Sequence, residues 1–190
     1  MKIPLTGPSL RATLLAVPLA LAACHSTGEA PKDRPAAGGD PTATAQAFYQ
    51  AVRQDRISGL PDAKQMKRLA PYVSENLVTA FAKAAKEQKE YMAKFPEDKP
   101  PWIEGDLFGS LFEGPTSWKV GQATTRGRKA EVPVQLGYVS KGEKPIEWTD
   151  TIVLEQSTNG DWKVLDLRMG GKWAFKAGGN SLLQTLTAEP

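Results

Sequence analysis

The chain predicts an α+β domain, with N-terminal helices packed on a curved four-stranded antiparallel sheet meander and a short C-terminal helix. Three observations carry this expectation. Apolar residues recur at helical spacing between residues 41 and 95. Beyond Pro96, Pro100 and Pro101 the pattern changes to alternating runs rich in β-branched and aromatic residues. Asn159-Gly160 is the strongest local hairpin signal in the chain. Helices in one half and strands in the other read as α+β, not as a parallel α/β sheet.

Residues 1–23 read as a removable signal. Lys2 and Arg11 supply a positive start, and Ala12–Ala23 is an apolar run interrupted by Pro18. It falls short of the roughly 20 apolar residues that a membrane-spanning helix needs. The segment closes on Leu21-Ala22-Ala23-Cys24. This resembles the lipobox of bacterial lipoproteins, which implies cleavage before Cys24 and lipid attachment to it. The residue that follows is His25 rather than Asp, which by the same resemblance implies the outer membrane, with the domain facing the periplasm. Residues 24–40 then form the acylated Cys and a flexible tether, too rich in Gly, Pro and polar residues to bury a core. A tether of this length spans on the order of 20–25 Å on average.

Residues 41–190 are left for a single α+β domain. Asp40-Pro41 places an N-cap before a proline at the first helical position, and Ala47, Phe48, Ala51 and Val52 form one stripe. Gly59 and Pro61 break the chain. Asp62–Leu69 reads as a short helix closed by Pro71. A third helix runs from Ser74 to about Phe95. Its stripe is Leu77, Val78, Phe81, Ala84, Ala85, Gln88, Tyr91, Met92 and Phe95, and its opposite face is charged, with Glu90 and Lys94 as an i,i+4 pair. Trp102–Phe112 reads as a loop with buried aromatics. Strands are expected at about 116–125, 130–140, 146–156 and 162–169.

A two-residue turn at Asn159-Gly160 would pair Leu154 with Leu165, Ile152 with Leu167 and Asp150 with Met169. One face of that hairpin is apolar except for Asp150. The other would carry Trp162, Val164, Asp166 and Arg168. Ser181–Leu186 closes the domain as a short helix, and Gly170-Gly171 and Gly178-Gly179 read as chain breakers.

The order of helices followed by a curled meander resembles the cystatin-like or nuclear-transport-factor-two-like α+β cone. Closer resemblance lies with the YbjP-type bacterial lipoproteins, which carry a domain of unknown function. It rests on Ala47-Phe48-Tyr49, on Leu69–Leu77, on Trp148-Thr149-Asp150 and on Trp162–Arg168 with Gly171 just beyond. It implies an envelope lipoprotein without known catalysis and supplies no catalytic residues.

Chemistry has few places to reside. The chain has one His and one Cys, so a Ser-His-Asp triad, a Cys-His pair or a zinc site cannot be assembled in the domain. Phosphate-loop, dinucleotide and G-x-S-x-G motifs are missing, so no cofactor, metal or catalytic residue is expected. With 24 basic against 21 acidic side chains, and Lys2 and Arg11 inside the signal, there is no general reason to bind nucleic acid. Asp150 sits on an apolar parity and needs donors or a cation. A role as general base is the alternative. Asp166 and Arg168 lie two apart on one strand face, within reach of an ion pair. Tyr91, Trp102, Phe108 and Phe112 could line the mouth of a cone or pack as core and loop. Arg126–Lys129 reads as a solvated basic turn. The expected function is a non-enzymatic, outer-membrane-anchored lipoprotein that serves another envelope protein as an accessory or interaction module. The alternative is a periplasmic binding module for a small apolar or lipid-like ligand.

Overall fold

The computed structural model describes residues 39–173 and 181–188. The signal, Cys24 and the tether as far as residue 38 lie outside the described residues, as do Gly178 and Gly179. Helix α1 spans Pro41–Gln54, α2 Ala63–Leu69, α3 Glu75–Lys94 and α4 Leu182–Thr187. The strands are β1 (Ser117–Val120), β2 (Thr124–Arg126), β3 (Lys129–Tyr138), β4 (Ile146–Gln156) and β5 (Trp162–Arg168). The fold is α+β, with helices preceding an open antiparallel sheet.

Local chemistry sets the helix starts. Asp40 accepts from Thr42 N at 2.9 Å, and Asp62 forms a reciprocal capping box with Gln65. Ser74 caps α3 through Leu77 N. The α3 stripe is buried at Leu77, Phe81 and Ala84, but Ala85 is exposed and Phe95 is half exposed. The last turns of α3 therefore overhang the core. Along its charged face Lys83 meets Glu87 at 3.2 Å and Lys86 meets Glu90 at 3.7 Å.

The sheet has five strands, not four, in the order β1-β3-β4-β5 with β2 also on β3. The segment expected as one strand is divided after Val120. The cause is Pro133. Its carbonyl accepts from Gly121 N at 2.8 Å, so its missing N–H would have pointed to that same edge. Residues 121–123 face only Val132 and Pro133, and the ladder breaks there.

The second difference lies in the β4–β5 hairpin. Thr151, Ile152 and Val153 pair with Arg168, Leu167 and Asp166 as expected, but Leu154 pairs with Val164 and Gln156 with Trp162. Ser157 N donates to Asp161 O at 2.8 Å, which leaves a three-residue loop, and Gly160 takes φ +92°. A bulge at Leu165 absorbs the extra residue. Trp162 and Val164 thereby turn inward, and Leu165 is only half-buried. Burying a Trp and a Val in place of one Leu outweighs the better local turn.

The core lies between the helices and one sheet face. Val132, Val134, Ile152, Leu154, Val164 and Leu167 meet Phe48, Val52, Leu77, Phe81, Leu182 and Leu186, all buried. Each such side chain contributes about 1.5–3 kcal/mol when fully removed from water.

Candidate functional site

The buried charges converge where α1 ends, beneath the loop running from Gly105 to Gly114. Arg53, in the last turn of α1, meets Asp106 at 2.5 Å and donates to the Phe108 carbonyl at 2.9 Å. The other oxygen of Asp106 accepts from Phe108 N at 2.8 Å. Asp150, wholly buried on β4, accepts from Ser110 N at 2.9 Å, from Gly170 N at 2.8 Å and from the Ser110 hydroxyl. Trp148 Nε1 approaches it at 3.3 Å. Ser110 Oγ in turn accepts from Gly171 N at 2.9 Å. Gly109 marks the meeting point, since a Cβ there would stand 3.7–3.8 Å from Asp106, Arg53 and Asp150 oxygens or nitrogens.

Asp150 is thus met by backbone and side-chain donors at the end of the covered sheet, which satisfies a buried carboxylate. It ties the loop to the chain leaving β5. Gly170 and Gly171 are needed there for close approach rather than as chain breakers. A Cβ on Gly170 would strike the Thr149 carbonyl, and one on Gly171 would strike the Trp173 ring.

Tyr49 lies under this cluster. Its ring takes the Arg53 guanidinium at 4.8 Å and packs edge-on to Trp118 at 5.3 Å. Its hydroxyl and Arg53 Nε are buried and have no hydrogen-bond partner among the described residues. Burial raises the Tyr49 phenol well above its usual range, against the opposing pull of Arg53. Burial also works against charge on Arg53, but Tyr49 and Asp106 more than offset it and its pKa rises.

The aromatic set does not gather around one opening. Phe108 is core, between Phe48 and Phe81 at 6.2 and 6.0 Å. Tyr91 packs on Phe95 and donates to Asp98 at 2.8 Å. Trp102 is half-buried, with its indole N–H donating to Thr185 O at 3.0 Å. Phe112 is 40 % exposed. Asp166 and Arg168 do not pair. Asp166 accepts from Leu167 N and Leu183 N at 2.8 and 2.9 Å, anchoring the start of α4. Among the described residues those amides, and no cation, are its partners. Arg168 reaches across the outer face to Glu131 at 2.7 Å.

Reading the sequence missed Arg53, Asp106 and Ser110. Asp106 was the available signal, a carboxylate directly before the apolar pair Leu107-Phe108 and so as much in need of a partner as Asp150. Among the described residues no His, Cys, Asp and Glu group could hold a metal ion, and no helix is long and apolar enough to cross a membrane. Comparison with protein-family models, with curated proteins and with solved structures finds no match.

Proposed function

We propose that the chain is a non-enzymatic lipoprotein of the bacterial envelope, anchored at the outer membrane through acylated Cys24, whose domain docks on another envelope protein. Its likeness to the YbjP-type lipoproteins belongs to the same proposal. One observation supports the docking role above others. Arg53, Asp106 and Asp150 are all engaged in holding a loop that leaves its own Phe112 40 % exposed, with Ile103 just before it 55 % exposed. A loop clamped by buried charges while it presents large apolar side chains suits an interface. A tether keeps the domain near its membrane partner, so a weak interface suffices.

The test places a photo-crosslinking residue at Ile103, at Phe112 and, on the outer sheet face, at Lys119 in the full chain within its own cells. Capture of one partner from the first two positions and not from the third is expected. Equal capture from all positions, or none, removes the docking reading. Cys24→Ser should abolish incorporation of labelled palmitate and release the protein from the membrane fraction. Retention of label would remove the anchor.

A second reading, binding of a small apolar ligand, keeps one support. A hollow of about 460 Å3 lies between Ile57, Ile103, Phe112 and Pro115, with the Arg53–Asp106 pair at its base. Native mass spectrometry of protein purified from its envelope would show a mass adduct lost on denaturation if this reading holds.

A further inference from the structure

A neighbouring hollow of about 340 Å3 has a different character. Its walls are Ile57, Leu60, Pro100, Trp102 and Ile103, with the Gln65 and Gln88 side chains beside them. Arg56 is the one charged residue that lines it. Each amide is held at one end, the Gln65 oxygen accepting from the backbone N–H of Asp62 and the Gln88 nitrogen donating to the Pro101 carbonyl. Arg56 is exposed, and its guanidinium makes no ion pair or hydrogen bond among the described residues. The other cations around this loop are matched, Arg53 by Asp106 and Lys99 by Glu104.

The backbone is also unusual here. Among the described residues only Arg56 and Trp102 are non-glycine residues with positive φ, at 50° and 56°, and both line this hollow. Such residues are costly and persist where the surroundings impose them, often at ligand sites. The two strained segments are locked together. Ser58 O accepts from Leu107 N at 2.7 Å, and a Cβ on Gly59 would stand 2.7 Å from the Trp102 carbonyl. The Trp102 indole is fixed in turn by Thr185. The result is a hollow with an apolar side at Leu60, Trp102 and Ile103, a polar side at Ser58, Gln65 and Gln88, and a single unmatched guanidinium, that of Arg56.

We infer that this hollow binds a carboxylate carried on an apolar body, with the carboxylate on Arg56 and the apolar part against Trp102, Leu60 and Ile103. A guanidinium donates paired, charge-assisted hydrogen bonds to a carboxylate, and a hollow that sets a few polar groups beside apolar side chains is the usual form of a ligand site. The same chemistry occurs in a free organic acid and in an acidic side chain of a peptide segment. The inference stands apart from the docking reading, because it needs only the hollow and Arg56.

The experiment uses the isotope-labelled full chain in nanodiscs and three probes: 3-phenylpropionate, its uncharged amide, and a Leu-Asp-Leu-Leu peptide blocked at both ends. Phenylpropionate is expected to shift the Trp102 indole and Gly59 amide resonances saturably, and the amide at least tenfold more weakly. Arg56→Gln should remove the difference between acid and amide. Arg56→Gly should do the same with a melting temperature no lower than that of the parent, because glycine takes this φ freely. Tighter binding of the peptide than of phenylpropionate would identify a protein segment as the source, and the reverse order a small acid. Equal shifts from acid and amide, shifts away from Trp102 and Gly59, or acid binding that survives Arg56→Gln would each overturn the inference.

Discussion

The β3–β4 core and the Gly105–Gly114 loop share apolar packing but differ in what fixes their backbones. Across the strands, Val132 faces Ile152 and Ala130 faces Leu154, all buried, and the pairing is secured by apolar area and a continuous ladder. In the loop no ladder exists: Leu107 and Phe108 enter the core, and the backbone between them and Ser110 is held by a few directional bonds to Asp106 and Asp150. Area is additive and forgiving, whereas a buried carboxylate loses much of its support when one partner goes. The two regions should therefore respond differently to small changes.

The largest effect should come from Asp150→Ala, which strands the Ser110 amide and hydroxyl in the interior and should cost about 4 kcal/mol. Urea unfolding measures it, and amide exchange should rise first at Ser110 and Gly170. A loss under 1 kcal/mol on the same scale would show that water reaches this cluster. Arg53→Met should follow at about 3 kcal/mol by leaving Asp106 buried without its cation, and adding Asp106→Leu should recover a good part of that. Ile152→Val, on the sheet side, should cost only about 1 kcal/mol and leave loop exchange unchanged.

Tyr49→Phe should be nearly neutral at pH 7, because the hydroxyl it removes has no partner. Its signature is pH dependence. Burial holds the folded-state pKa above the usual phenol value of 10.0, so the neutral phenol is favoured in the fold. That stability is complete below about pH 10 and is lost as the pH rises beyond it, where the unfolded chain ionises first. The parent should thus weaken between about pH 9.5 and 11 more steeply than Tyr49→Phe, as read from unfolding midpoints across that range. The smallest effect should come from Arg168→Ala. Its pair with Glu131 is 54 % exposed on both sides and should be worth under about 0.5 kcal/mol.

The same contrast explains how much could be read from the sequence. Helix boundaries, the inward parity of Val132, Val134, Ile152 and Leu154, and the exposed or buried sense of Asp150 all follow from periods of 3.6 and 2. The loop has no period. Arg53 lies in the last turn of a helix and Asp106 near the start of a loop, 53 positions apart in the chain. Nothing local specifies that they meet. The turn at Gly160 failed for a related reason. Local preference favoured two residues, and the decision fell to Trp162 and Val164 through contacts far away in the chain.

The bulge at Leu165 makes the final hairpin a strand with two reading frames. In the frame it occupies, Trp162, Val164 and Leu167 point inward together. One residue away lies the unbulged frame, in which Leu165 and Leu167 would point inward and Trp162 would face water. The choice between them is held by the indole. Trp162→Thr would accordingly do more than open a hole, because it would remove what the first frame offers over the second. Nuclear Overhauser contacts would then connect Leu154 with Leu165 instead of Val164, and the tip of the sheet would be a different surface made from the same residues.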